Sequence, residues 1–566
     1  MAVSIGNPDA GGVPRRERRW RTAFWVVWAV LLIAKIVLAV RLAPFGDEAW
    51  YWQESRHPAW GYSDLPPLTA WLIATGEAAF GHGTLAMRAP FLLLGAALPL
   101  LIVRIAARIF GTVDGWRAGM LALGLPLLGT LGIFALPDVP LTFASALALH
   151  AIERAARQRK LRDWTLLGLA LALAWLAHYR AAMLFAAGLA FFALTARGRS
   201  LWRDPGLWLA LAIMCLGIVP TLAFNATHAW AALDFQLVQR NPWHFHVDAL
   251  VQPLEQALVC TPLFYGLLLW ALWRTWKQYR CRFRTLSVRP ERSAEGAKSK
   301  GTDGISISPA ARATLNANGI PWDLFLCCAA VPILAYFVLG LFADDTRFRA
   351  HWPLPGYLPL LIALPVLLRE ARVAAWFRIA TFALLAFGSV LAFAYLGMAA
   401  IPGGADVLAR MKAFPQQFVG WREAAAQTRA LLAQPRFADS TLVADNFMLA
   451  AELDFALDGE RPVYTLDHPL NAKHGRAPQL AMWGRDEAGL RALGAEHRVL
   501  LVVEPGARRE RERAAWLDTL CSRVGDLAPV ARLDSYAGRK RYRWYAGVVT
   551  KSENIESNPD CIAAKP

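Results

Sequence analysis

The stretch Thr22–Val40, TAFWVVWAVLLIAKIVLAV, decides what kind of protein this is. A helix needs about 18 to 24 apolar residues to cross about 30 Å of hydrocarbon. The run ends in Arg41 and an acidic, aromatic loop, with no small-x-small cleavage site. It therefore reads as a span and not as a removed leader. Similar runs recur along the 566 residues, of which 56% are hydrophobic and only 18% charged. A soluble domain carries about 25% charged residues. The pattern predicts a mostly α-helical, polytopic membrane protein with about eleven spans. They lie near 22–40, 87–109, 116–134, 139–157, 164–178, 181–196, 205–224, 256–274, 322–341, 353–369 and 375–398.

The formal net charge of +17 points to nucleic acid only until its location is read. Arg15, Arg16, Arg18, Arg19 and Arg21 precede the first span. Further clusters lie at Arg154–Arg162, Arg197–Arg203 and Lys277–Arg292. Each falls between spans, on the side where positive charge marks the cytoplasm, so the partners implied are membrane lipids and no nucleic acid. Residues 1–21 then form a cytoplasmic tail, and 22–400 the membrane body. The Ser-, Ala- and Arg-rich stretch 281–318 reads as a disordered cytoplasmic loop. An odd number of spans places the C-terminal part in the periplasm of a multi-pass inner-membrane protein.

After Ile401 the composition changes. GWREAAAQTRALLAQ, NFMLAAELDFAL and RERERAAWLDTL read as helices, while STLVAD, HRVLLVVE and KRYRWYAGVV read as strands. Alternation of this kind predicts a small α/β domain over 415–550, followed by a loose tail, 551–566. Cys521 and Cys561 lie in this region and are able to pair if it is periplasmic. Cys215, Cys260, Cys327 and Cys328 lie in apolar runs and read as small core residues.

The outer loops hold the candidate chemistry. The first, 41–87, contains GDEAWYW and GYSDLPPL, which set Asp47, Glu48 and Asp64 among Trp50, Tyr51, Trp52, Trp60 and Tyr62. An interfacial belt explains the tryptophans but not three acids beside them. A partly desolvated carboxylate can take a proton from a hydroxyl, and Asp47 is the expected base. The run Pro66–Gly81 is too short to span and reads as a surface helix, with Pro66 and Pro67 in its first turn. Asp138, in LPDVP, reads equally as a helix cap or as support for a reacting group. His178, Tyr179 and Arg180 form either a turn with a snorkelling arginine or an anion site. Late in the chain, Asp344, Asp345, Arg347, Arg349, His351 and Trp352 run against the positive-inside trend and suggest a bound anion. Arg240, His244 and His246 either add to it or, in the case of the histidines, bind a metal. No cofactor is required by these motifs, and a divalent metal stays open. Acids in the first loop and bases in later ones suit transfer of a sugar from a polyprenyl phosphate. Cations steady the departing phosphate and a carboxylate takes the acceptor's proton.

At these residues the sequence resembles a known family. GDEAWYW, GYSDLPPLTAWL, RAPFLL, LPDVPLTFASALALH, HYRAAMLF and RAHWPLPGYLPL are similar, in that order, to motifs of the bacterial glycosyltransferases of family 39. The related aminoarabinose transferases of family 83 share them. Both are GT-C-type membrane enzymes, akin to the protein mannosyltransferases. The resemblance implies a polyprenyl-phosphate-linked sugar donor, transfer at the periplasmic face, and lipid A, a glycan or a protein as acceptor. It implies Asp47 as the catalytic carboxylate, with Glu48 beside it, and matches Asp64, Asp138, Tyr179, Arg180, Arg349 and His351 to family positions. With the loop's own residues the candidate set is Asp47, Glu48 and Asp138 as catalytic, and Asp64, Tyr62, Tyr179, Arg180, Arg349 and His351 as substrate-binding. One departure stands out: where the family has His or Lys before the double proline, this chain has Leu65.

Three other classes are to be set against this one. A transporter or flippase would place charges in mid-span and repeat its topology, and neither feature is found. A non-catalytic scaffold does not account for the crowded first loop. A GT-C polymerase or ligase with a lipid-diphosphate donor stays open.

Overall fold

A computed structural model describes residues 15–239, 244–287, 319–342, 351–508 and 510–549. The predicted apolar runs fall on helix with two exceptions: 116–134 is a shorter helix, Thr112–Gly124, followed by the turn Pro126–Gly129, and 256–274 is broken at Thr261. Five helices are long and apolar enough to cross a membrane: Arg15–Arg41, Thr84–Phe110, Pro205–Thr227, Trp322–Leu341 and Ala375–Ala400. A sixth candidate is a broken pair, Val247–Cys260 and Pro262–Cys281, bent by 111°. Asp138–Gln158, Leu161–Ala177, Ala182–Leu194 and Leu354–Glu370 are further apolar helices packed among these. Leu354–Glu370 is buried on almost every side and forms the centre of the bundle. The outer helices expose apolar side chains instead, such as Val30, Ile33 and Val37 on the first, and Phe387, Val390 and Leu391 on the last. In water such a surface would associate, whereas in lipid it costs nothing. The chain is built to sit in a membrane. Lys35 is the charged residue within the first span, and it donates to the Leu131 carbonyl at 2.9 Å, so it is buried with a partner.

The start of the stretch expected to be disordered, 281–287, is helix. The helix Pro262–Ser287 runs through Cys281 to Ser287, since no proline or glycine interrupts its backbone hydrogen bonds there. Residues 288–318 lie outside the described residues. The short run after the double proline is a helix over Leu68–Phe80, with Pro67 at the cap position and not inside the first turn.

Helices Trp421–Leu432, Phe447–Ala456 and Glu510–Arg523 surround a five-stranded sheet of order β2-β1-β3-β5-β4. β1 is Thr441–Ala444, β2 Val463–Thr465, β3 Arg498–Val503, β4 Val524–Ser535 and β5 Lys540–Val549. The first three are parallel, and β5 and β4 add antiparallel to β3. β3 is a continuous apolar run because helices cover both of its faces. Strands β2 and β4 escaped the sequence reading. β2 is three residues long, and β4 is an edge strand of mixed polarity with register breaks.

The sheet region is anchored to the first outer loop. Ala43 belongs to its core, and Trp50 and Trp52 pack against Phe447 and Phe455. Ser63 donates twice across the same junction, its backbone N–H to the Gln479 side-chain oxygen and its hydroxyl to the Gly475 carbonyl. The loop 41–87 and the C-terminal sheet therefore lie at the same end of the bundle.

Candidate active site

The helix Gly46–Arg56 carries the first two acids, and its local structure separates their roles. Its N-cap is Phe45, and Glu48 accepts the Phe45 N–H at 2.9 Å, closing the start of the helix. Glu48 also grips Arg88 in a two-pronged bond, 2.9 Å to Nε and 2.6 Å to Nη2, and accepts the Ala135 N–H. Arg88 gives its remaining donors to the carbonyls of Ala39, Leu42 and Ala43. Those are the otherwise orphaned carbonyls where the first span ends. Both side chains are 0% exposed. Glu48 was expected to be catalytic. It is instead a structural anchor, since its oxygens are committed to Arg88 and two backbone amides and do not reach open space.

One residue earlier on the helix, Asp47 faces an open cleft of about 190 Å³. Asp64, Leu65, Asp138, His178, Arg180 and His351 line it too, so residues from five separate motifs meet there. Asp138 makes no helix-capping bond. It binds Arg180 at 2.6 Å and lies 3.4 Å from His351. It lines the cleft beside both of them. Arg180 also lies over the Trp352 ring at 5.7 Å, a face that favours a guanidinium.

Two expected ligands are not brought to the cleft. Tyr62 is fully buried, and its hydroxyl donates to the carbonyls of Glu54 and His57. Its role is to fold the loop back on the helix. Tyr179 bonds Asn225 and does not line the cleft. Arg240, Asp344, Asp345, Arg347 and Arg349 lie outside the described residues. His244 and His246 are not part of the cleft lining. Among the described residues no group of three or more His, Cys, Asp or Glu is arranged to hold a metal ion.

The structure adds residues that sequence reading missed. Arg476 reaches in from the sheet region, with Nε 3.1 Å from Asp64 and Nη2 3.3 Å from Asp47. Its guanidinium is packed against Trp50, Tyr51 and Phe447 at about 5 Å. Burial works against its charge, but Asp64, Tyr51, Asp47 and Glu54 outweigh that and keep it protonated. Lys473 and His474 line the same cleft. Gly475, between them and Arg476, has φ +72°, and a Cβ there would meet the Phe235 ring at 2.6 Å. That close turn is what lets the segment enter the cleft.

Glu54 lies behind Asp64, fully enclosed, and accepts the Trp50 indole N–H at 2.8 Å. Burial and the neighbouring Asp64 charge push its carboxyl well above the ordinary range, and it bonds Asp64. Burial also raises Asp64, against the pull of Arg476 and of the Glu54 bond. The two carboxyls titrate as one unit.

Comparison with known proteins follows the same lines. The family model described as dolichyl-phosphate-mannose-protein mannosyltransferase matches residues 64–224. The lipid A galacturonosyltransferase RgtD of Rhizobium johnstonii is 28% identical over 240 residues, 41% of this chain. The chain matches about half the length of that relative, 49%. The crystal structure of ArnT from Cupriavidus metallidurans bound to undecaprenyl phosphate superposes with a TM-score of 0.61 at 16% identity. That superposition covers 95% of this chain and 99% of the other. The apo form of the same protein gives the same figures. The chain thus has the GT-C glycosyltransferase fold.

Proposed function

We propose that this protein is a glycosyltransferase that moves a sugar from a polyprenyl phosphate to a hydroxyl acceptor at the periplasmic face. The observation that carries the reading is the cleft itself. An exposed-edged carboxylate, Asp47, faces a wall of Arg180, His351 and Lys473 across one cavity. The acceptor oxygen attacks the anomeric carbon, its proton passes to Asp47, and the sugar–phosphate oxygen bond breaks. The leaving polyprenyl phosphate takes up the electron pair and is steadied by the cations. Asp138 holds Arg180 and His351 in place, and Arg476 holds Asp47. Leu65 is apolar where the family has a base, and Lys473 supplies the missing cation from the sheet region.

The topology proposed with it has about eleven spans, a cytoplasmic N-terminus, and an α/β domain over 415–550 outside the membrane. The shared end of the first loop and the sheet supports that arrangement. Lipid A is the favoured acceptor, by likeness to RgtD. The reading is tested with Asp47→Asn in membranes supplied with a polyprenyl-phosphate sugar. Turnover is expected to fall by about 10²- to 10⁴-fold, the range for loss of a general base, with protein level unchanged. Turnover within threefold of the parent protein would remove Asp47 as the base.

A further inference from the structure

A second cleft, of about 780 Å³, opens on the far side of the segment that carries Lys473 and Arg476. The partition is one short stretch of chain. His468, Asn471, Ala472 and Ala477 face the second cleft, while Lys473, His474 and Arg476 face the first. The opposite wall is the helix Glu510–Arg523 with Arg508 just before it.

Its walls are built around stacked cations. Arg508 and Arg523 lie over the Trp516 ring at 4.6 Å and 5.1 Å. Arg511, three-quarters exposed, stands at the rim. Their acidic partners do not fully answer them. Glu512 is 3.8 Å from Arg508 and 3.7 Å from Arg511, longer than a good hydrogen bond, and Asp467 is the other acid in the lining. Arg523 is bonded to Glu487 and to the Asp467 carbonyl. The buried donors without an acceptor among the described residues include two that line this cleft, Arg508 Nε and His468 Nε2. His468 is 4% exposed, and its Nδ1 already accepts the Leu470 N–H, so Nε2 carries the proton. Burial, with Arg508 and Arg523 nearby, lowers the imidazole to about 3, so it stays neutral and offers that N–H at working pH. Buried donors without acceptors are rare in native structures. Here both belong to side chains lining one basic cleft, and what they lack is an acceptor.

We propose that this cleft binds the phosphate of a phosphorylated sugar, the anionic head group of the acceptor. The inference rests on the transferase reading for the word acceptor only. Arginine pairs grip phosphate through their forked donors, and the neutral imidazole adds one bond. A head group held there lies one chain segment away from Asp47, so the cleft would set which hydroxyl reaches the base.

The test uses the full-length protein in nanodiscs of neutral lipid. Saturation-transfer NMR with glucose 1-phosphate is expected to report binding that inorganic phosphate competes away and that glucose does not reproduce. The double variant Arg508→Gln/Arg511→Gln should weaken it at least tenfold, while Lys473→Gln should leave it within twofold. If the double variant unfolds, the exposed Arg511→Glu alone should still weaken binding severalfold. Equal binding of glucose, an unchanged affinity in both arginine variants, or loss in Lys473→Gln alone would overturn the proposal. In transfer assays the arginine variants should raise the KM for a phosphorylated acceptor and leave the donor KM and kcat unchanged. If the parent protein transfers no sugar while glucose 1-phosphate still binds as described, the transferase reading fails and the site stands.

Discussion

The two walls of the reaction cleft are built in opposite ways. The acid wall is rigid and dry. Glu48 is fixed by Arg88 and two amides, Glu54 is enclosed against Asp64, and Arg476 is wedged among three aromatic rings. The basic wall opens to solvent at His351, whose side chain is 35% exposed, against 24% for Asp47 and 10% for Arg180. A base has to be held at a set depth and angle before its substrate arrives, because misplacement costs rate. A wall that receives and releases a long lipid phosphate has to let its charges follow the ligand.

That contrast is open to attack from both sides, and the largest effect is expected at the back of the acid wall. Glu48→Gln leaves Arg88 buried beside a neutral amide. Losing one member of a buried pair costs about 3–5 kcal/mol, so thermal unfolding should move down sharply. A melting temperature within a degree of the parent protein would mean that this anchor is not structural. On the basic wall, Lys473→Gln should raise the donor KM by about tenfold, worth about 1.4 kcal/mol, with the fold intact. Leu65→Lys in that background should restore most of it, since both positions line the same cleft. Failure to restore would separate Lys473 from the role of the missing base.

The smallest effect concerns the proton on Glu54. Its carboxyl is raised in the folded protein, so the folded state binds the proton more tightly than the unfolded chain does. Stability from this group is then full at low pH and is lost as pH rises from the ordinary glutamate value, near 4.5, toward the raised one. Glu54→Gln keeps the oxygen that Trp50 bonds and cannot lose a proton. Its melting temperature at pH 7 should equal or slightly exceed that of the parent protein, and its decline above pH 4.5 should flatten by one proton. A steeper decline would show Glu54 ionised in the folded state.

Much of the membrane body was legible because spanning helices repeat one physical requirement, a long apolar stretch, and nothing distant is needed to satisfy it. The acids of the first loop were legible for the same reason: a charge beside a span asks for an explanation. Their separate fates were not. Asp47 and Glu48 are neighbours in the chain, and only helical rotation plus the arrival of Arg88 decides which is buried. Tyr62 misled because an aromatic hydroxyl in an acidic loop looks the same whether it meets substrate or a backbone carbonyl.

What the sequence by itself determined was the apolar lengths that make spans, the acidic first loop, the order of the motifs, and the change of composition after Ile401. What only the tertiary structure decided was the company those acids keep. Arg476 meets Asp47 across 429 positions of chain, and Gln479 meets Ser63 across 416. Local periodicity records how a segment turns toward a core, but it carries no trace of which remote side chain will fill the space opposite. That pairing is set by the packing of the sheet region onto the first loop, where a buried charge has to find its partners inside the protein.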